Sequence, residues 1–145
     1  MNAKTGKTGQ CLCGKVKFRL TDEVHEVGAC HCDMCRRWGG GPFLEIRCMG
    51  PVEFEGEEHI VRYRSSDWAE RGFCGVCGSN LFYCIVPDGP YMMSVGALED
   101  QTGLKFTSQV FIDEKPDWYA FANKTKNMTG AELFAMYAPQ DGEKS

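Results

Sequence analysis

The chain has 145 residues, is 43% hydrophobic and 25% charged, and carries a formal charge of −4, the profile of one globular domain large enough to bury its own core. No apolar run approaches the roughly 18 residues that a membrane span requires, and the net acidity argues against a broad nucleic-acid surface. Nine cysteines follow a polar start, MNAKTGKTGQ, that lacks a secretory apolar segment, so the expected compartment is the reducing cytoplasm, where clustered thiols bind metal rather than pair.

A single zinc-binding domain over residues 1–145 is expected, with an ordered core from about residue 9 to 138 between two loose polar ends, residues 1 to about 8 and Pro139 to Ser145. Lys15 to Leu20 alternates polar and apolar residues with period two and reads as a half-buried strand. A short turn of helix starts near Asp33 and carries Cys35 to Trp38. Val52 to Glu55 and His59 to Tyr63 are weaker strand patterns. Asn80 to Val86 is a nearly continuous apolar run closed by Pro87-Asp88-Gly89-Pro90, which predicts a central strand, a turn, and a return over Tyr91 to Val95. Leu104 to Ile112 supplies a further strand. Thr129 and Glu132 have the spacing of a capping box, and Leu133, Met136 and Tyr137 then recur at helical intervals. The class is mainly β with small helices.

Seven of the nine cysteines fall in three groups: Cys11 and Cys13, then Cys30, Cys32 and Cys35, then Cys74 and Cys77. Seven is one short of two closed tetrahedral zinc sites, whereas one closed set of four and one open set of three account for all of them. Cys13 and Cys77 are each followed by glycine, which lets the backbone turn so that amides point at sulfur. Cys35 is followed instead by Arg36. This groups Cys11, Cys13, Cys74 and Cys77 as a structural set, and Cys30, Cys32 and Cys35 as a set with a vacant fourth position. A ribbon made of Cys32, Cys35, Cys74 and Cys77 is the rival partition. Its interval, from Arg36 to Phe73, is longer than the roughly 15–20 residues of common ribbons, and it strands three thiols. Spacing also leaves room for another metal, such as an iron–sulfur cluster.

The ordered series QCLCG (10–14), CHCDMCRRW (30–38), SSDWAERGFCGVCGSNLFY (65–83) and DEKPDWYAF (113–121) resembles the glutathione-dependent formaldehyde-activating enzyme family, which also includes centromere protein V. The resemblance implies a β-tent of small antiparallel sheets. It also implies two zinc ions, a structural one on Cys11, Cys13, Cys74 and Cys77 and a catalytic one on Cys30, Cys32 and Cys35. The implied activity is that of a carbon–sulfur lyase joining or separating a thiol, glutathione in the founding reaction, and formaldehyde.

Three thiolates on a doubly charged ion leave a formal charge of −1, which favours holding a fourth thiol over generating hydroxide. The expected function is therefore zinc-dependent chemistry on an adduct of a glutathione-like thiol and a small aldehyde. A zinc-stabilised module that binds a protein or ligand without catalysis is the alternative. Arg36, with Arg37 beside it, is a candidate for a substrate carboxylate, and Trp38 for a pocket wall, so Arg36 and Trp38 are the expected co-substrate contacts. Gly39 to Gly41 would allow close approach of a ligand or form a plain turn. His31, alternating with two ligands, is expected to point away and bond locally. Arg71 is expected in a surface ion pair, Cys48 and Cys84 as small buried hydrophobes, and Trp118 and Tyr119 as core anchors.

Overall fold

The computed structural model describes residues 6–137. In chain order the elements are β1 (Thr8–Gln10), β2 (Lys17–Leu20), β3 (Glu26–Cys30), α1 (Asp33–Gly39), β4 (Phe43–Cys48), β5 (Val52–Glu55), β6 (Ile60–Arg64), β7 (Ala69–Cys74), β8 (Asn80–Ile85), β9 (Tyr91–Ser94), β10 (Lys105–Val110), β11 (Lys126–Met128) and α2 (Gly130–Tyr137). Eleven strands against two helices among the described residues, in open sheets, make the mainly β class plain. The expected loose tail from Pro139 to Ser145 lies outside the described residues, as does the N-terminal end up to residue 5. Lys7 and Thr8, expected to be loose, are tied in. The Lys7 carbonyl accepts from the Leu20 amide, and Thr8 opens β1 opposite Arg19.

The chain divides into two compact units, one of the residues up to Val27 with Leu44–Lys105, the other of Gly28–Phe43 with the residues from Phe106 on. In the second unit β10 lies between β3 and β11, and its pairing with β11 is parallel. Phe106 packs edge-on against Phe121, and Phe111 edge-on against Phe134 of α2. The capping box of α2 is reciprocal: the Glu132 amide donates to Thr129 Oγ1 at 3.1 Å, and the Thr129 amide to Glu132 Oε1 at 2.8 Å. Leu133 is partly buried on this helix, as its spacing predicts. Met136, expected on the inner face, is half exposed, and Phe134, also half exposed, makes the ring contact with Phe111. The expected Tyr137 side chain is outside the described residues.

In the first unit, β1, β2 and β5 form one antiparallel sheet, and β4, β9, β8, β7 and β6 a second in that order. The period-two pattern of β2 does what it predicts, burying Val16, Phe18 and Leu20 while Lys15 and Lys17 face solvent. Phe54 of β5 meets the Phe82 ring of β8 at 5.6 Å, and Phe82 meets Tyr91 of β9 at 4.9 Å, which joins the two sheets in one core. Leu81 to Cys84 are buried on both faces of β8, as the unbroken apolar run requires. Cys48 and Cys84 are buried, and burial followed by the charge of Asp22 pushes the Cys48 thiol up to about 12, so it behaves as a small apolar group.

Arg71 corrects its expectation. It lies on β7 between β6 and β8, only 3% exposed, with its guanidinium 5.1 Å from the Tyr83 ring centroid. Flanking strands on both sides, rather than the polarity of the AERGFC segment, decide its burial.

Gly72 of β7 faces Phe82 across the ladder, and a Cβ built there would sit 2.2 Å from a ring carbon that is fully buried. The missing side chain is what lets the Phe82 ring lie against the strand. Gly72→Ala should therefore destabilise the protein by about 1–3 kcal/mol through overpacking. Urea unfolding at constant metal content measures this, and a loss below about 0.5 kcal/mol would show that the ring has room to move.

Candidate metal centres

The first thiol set is built from two tight turns of the first unit. After β1 the chain turns from Cys11 to Gly14, whose amide bonds back to the Cys11 carbonyl at 3.2 Å. After β7 it turns from Cys74 to Gly78, whose amide bonds to the Cys74 carbonyl at 2.8 Å. Gly14 and Gly78 both have φ of 82°, the left-handed conformation that closes such a turn and that glycine adopts without strain. The turned amides point at sulfur. Val16 N–H lies 3.4 Å from Cys11 Sγ, and the amides of Val76 and Cys77 lie 3.4 and 3.5 Å from Cys74 Sγ.

The sulfurs of Cys11, Cys13, Cys74 and Cys77 all lie within 4.8 Å of one another. Cys11 Sγ is 3.6 Å from Cys13 Sγ, and Cys13 Sγ is 3.9 Å from Cys74 Sγ. These separations are far beyond the roughly 2.05 Å of a disulfide. They match the edge of about 3.8 Å that a tetrahedron of sulfurs has around zinc when each bond is about 2.3 Å. The donor set thus fits a closed zinc site.

Ser79 supports this set in a way that the cysteine spacing does not announce. Its hydroxyl accepts from the Leu12 amide at 2.9 Å and donates to Cys77 Sγ at 3.2 Å. That hydroxyl, the Ser79 amide and further hydrogen bonds outweigh burial and bring the Cys77 thiol down to about 5. Cys13 goes the other way: the Lys15 amide favours its thiolate, but burial and the sulfurs of Cys11, Cys77 and Cys74 prevail and push it up to about 11.

The second thiol set belongs to the second unit. Cys30 ends β3, Cys32 is the N-cap of α1, and Cys35 sits in the first turn of that helix. Cys32 Sγ accepts from the Cys35 amide at 3.3 Å, as a serine hydroxyl would at this position, so the cap itself brings two of the sulfurs together. All three sulfurs lie within 4.8 Å of one another and all three residues are buried. They could hold a metal ion through three ligands.

His31 points into its unit rather than solvent and is fully buried. Its Nδ1 is 2.7 Å from Tyr119 Oη and its Nε2 is 2.8 Å from Gln109 Oε1. Burial first, then the positive charges of Lys115 and Arg36, outweigh the Gln109 hydrogen bond and lower its pKa, so the ring is neutral at neutral pH.

Arg36 donates from Nε to the His31 carbonyl at 2.9 Å and lies 3.8 Å from Asp33, with part of its side chain in solvent. Arg37 pairs with Asp33 at 3.0 Å and is largely exposed. Trp38 packs on Phe43 at 5.5 Å. Gly40 has φ of 88° and ends α1, donating its amide to the Arg36 carbonyl, so the glycine run stops a helix. Trp118, expected in a core, is instead 78% exposed and stands edge-on to Tyr119 at 4.7 Å. The Lys115 ammonium holds this segment by donating to the Pro116 and Tyr119 carbonyls, which leaves the indole outside. Gln109, Tyr119 and Ser79 carry roles that reasoning from the sequence missed; only Ser79, two residues beyond Cys77, had a local signal. A cavity of about 820 Å³ bordered by Arg62, Glu70, Cys84 and Tyr91 contains no clustered cysteine, so volume alone points away from the chemistry.

Comparison with known proteins agrees with the family resemblance. Residues 6–114 match the family described as glutathione-dependent formaldehyde-activating enzyme. An uncharacterized lyase of Schizosaccharomyces pombe is 35% identical over 126 residues, covering 86% of this chain and 92% of that protein. The crystal structure of a Rhodobacter sphaeroides protein superimposes with a TM-score of 0.54 at 24% identity, over 63% of this chain and 87% of the other, and shows likeness of fold.

Ser79→Ala removes the hydroxyl that holds Cys77 as thiolate. The Cys77 pKa rises, protons compete for its sulfur at higher pH, and metal held by the four-thiol set should be lost at higher pH than in the unmodified protein. Affinity should fall about tenfold, as for other residues that support metal ligands. Metal retained after equilibration across a pH series reads both effects, and superimposable curves would remove Ser79 from the site.

Proposed function

Because this chain belongs to the glutathione-dependent formaldehyde-activating enzyme family, we propose that it is a zinc-dependent carbon–sulfur lyase acting on the adduct of a glutathione-like thiol and formaldehyde. Two zinc ions are assigned, a structural one to Cys11, Cys13, Cys74 and Cys77 and a catalytic one to Cys30, Cys32 and Cys35. The observation that carries the reading is the incomplete second set: three buried thiols converge, and no fourth cysteine, histidine or carboxylate joins them among the described residues. A purely structural site is closed by four ligands, and a set of three leaves a position for a substrate. When bound there, zinc supplies a Lewis-acidic fourth position that favours the thiolate form of an incoming thiol.

The chain's own residues prepare the site. Burial of Cys30, Cys32 and Cys35 excludes bulk water from the sulfurs, and the amide of Cys35 donates to Cys32 Sγ and fixes its direction. Arg36 is held by the His31 carbonyl with part of its side chain in solvent, and we assign it to a carboxylate of the thiol. Trp38, seated on Phe43, is assigned as a wall beside it. In the synthetic direction the thiol sulfur bonds to the aldehyde carbon, the carbonyl π pair moves to oxygen, and the proton lost from sulfur is the one gained by the new hydroxyl. The reaction is neutral overall and needs no redox partner. Holding the two reactants together supplies much of the acceleration. We place this chemistry in the cytoplasm, where the nine cysteines, none of them in a disulfide, would stay reduced.

Cys35→Ser should lower adduct formation at least about 100-fold and remove one of two zinc ions per chain while leaving the other. Carbon-13 NMR of labelled formaldehyde with glutathione, beside elemental analysis, measures both. Full turnover together with full metal content in this variant would end the proposal.

A further inference from the structure

We infer that His31 is the positioning residue of the three-thiol set: through four hydrogen bonds it fixes the backbone between Cys30 and Cys32, so that their sulfurs converge with Cys35 before any ligand arrives. The inference rests on reading that set as a metal site and adds a residue that touches neither metal nor substrate. Every polar group of His31 has a partner in its own unit. Its amide donates to the Val110 carbonyl at 3.1 Å, and its carbonyl accepts from Arg36 Nε at 2.9 Å. Its ring nitrogens face Tyr119 Oη at 2.7 Å and Gln109 Oε1 at 2.8 Å. These partners come from β10, from α1 and from the segment between β10 and β11, so His31 is the point where three parts of the unit meet.

The direction of each bond follows from the far end of the network. The Thr125 hydroxyl donates to Asn127 Oδ1 at 2.6 Å, which leaves Thr125 Oγ1 to accept from Gln109 Nε2 at 2.9 Å. That orients the Gln109 amide with its oxygen toward His31, so His31 Nε2 carries the hydrogen. Nδ1 then holds a lone pair, and Tyr119 donates its hydroxyl hydrogen to it. Every member has a donor or acceptor of the right kind, and a buried network satisfied in this way specifies one geometry rather than several.

Its effect on the thiols is indirect. In an extended chain alternate side chains leave opposite sides, so Cys30 and Cys32 project one way and His31 the other. Holding the imidazole through both ring nitrogens and the backbone through its amide and carbonyl sets the orientation of both sulfurs. An apolar residue of similar volume would fill the space and keep the two backbone bonds but lose both ring bonds, and the segment could then swing its sulfurs apart. Preorganised ligands of this kind depend on their supporting shell for precision.

The test uses the protein as purified with its metal. Release of zinc to a chromogenic chelator is followed and counted per chain in His31→Leu, His31→Gln and Tyr119→Phe. His31→Leu should speed the release of one zinc at least about tenfold and leave the other at its original rate. Tyr119→Phe, which removes one contact of four and lies at a partly buried residue, should give a smaller acceleration of the same phase. His31→Gln retains a donor toward Gln109 and should restore most of the loss. Unchanged release in both His31→Leu and Tyr119→Phe, or equal acceleration of both zinc ions, would overturn the inference. Should the unmodified protein hold one zinc per chain, the catalytic assignment under Proposed function fails. His31 is then judged by amide hydrogen exchange: a protected His31 amide whose protection is lost in Tyr119→Phe and His31→Leu supports the lock, and an unprotected amide in the unmodified protein refutes it.

Discussion

Repulsion among converging thiolates is the constraint on which the rest of this structure depends. Two unit charges about 4 Å apart repel by about 4 kcal/mol at an effective dielectric constant near 20, and the first set has four sulfurs within 4.8 Å of one another. Several such pairs together exceed the roughly 5–15 kcal/mol by which a domain is stable. Without a cation the thiols therefore divide the burden unequally, as Cys77 at about 5 and Cys13 at about 11 display. A divalent cation reverses the balance and makes the convergence favourable. The two glycine turns, the amides aimed at sulfur and the Ser79 hydroxyl are then parts of one solution.

The two sets distribute charge in keeping with their burial. Four thiolates with a doubly charged ion would carry a net −2, and that set, with Cys11 and Cys74 buried, keeps Cys13 exposed and Cys77 partly exposed, where water would solvate the excess. Three thiolates with the same ion carry −1, and that set is buried. A smaller charge in a drier place, with the Arg36 guanidinium nearby and a neutral imidazole between two of the thiols, is the arrangement that desolvation favours. Had the four-thiol set been buried throughout and the three-thiol set exposed, the desolvation penalty would have fallen on the larger charge.

Features encoded within a few residues were legible in the sequence. The strand over Lys17–Leu20, the short helix over Cys35, the central position of β8 and the reciprocal capping box of α2 each follow from local spacing. Features encoded by neighbours distant in the chain were not. β7 has the polarity of a surface strand, and only pairing on both sides buries Arg71. β3, β4 and β11 lack a strong period and form because partners present an edge. The Gln109–His31–Tyr119 network joins residues far apart in sequence, and none of the three has a local pattern that announces it. Trp118 misled for a related reason: its size suggests a core, but Lys115 pins the adjoining backbone so that the indole stands outside.

The sulfur-only composition of the second set also bears on what it can accept under the proposed reading. Three neutral imidazoles would leave zinc with its full double charge and suit it to activating water, whereas three thiolates leave a net negative site with blunted Lewis acidity. A reactant that is itself anionic at the reacting atom is repelled, and an uncharged aldehyde is not. The thiol must therefore enter with its proton or lose it on arrival, and its carboxylates must lie away from the sulfurs. Arg36 meets that requirement, because the His31 carbonyl holds its Nε while the side chain, facing Asp33 at 3.8 Å, stays partly in solvent. The same helix that supplies Cys35 as a ligand thus presents, one residue later, the cation able to hold the charged end of the thiol outside the reacting centre.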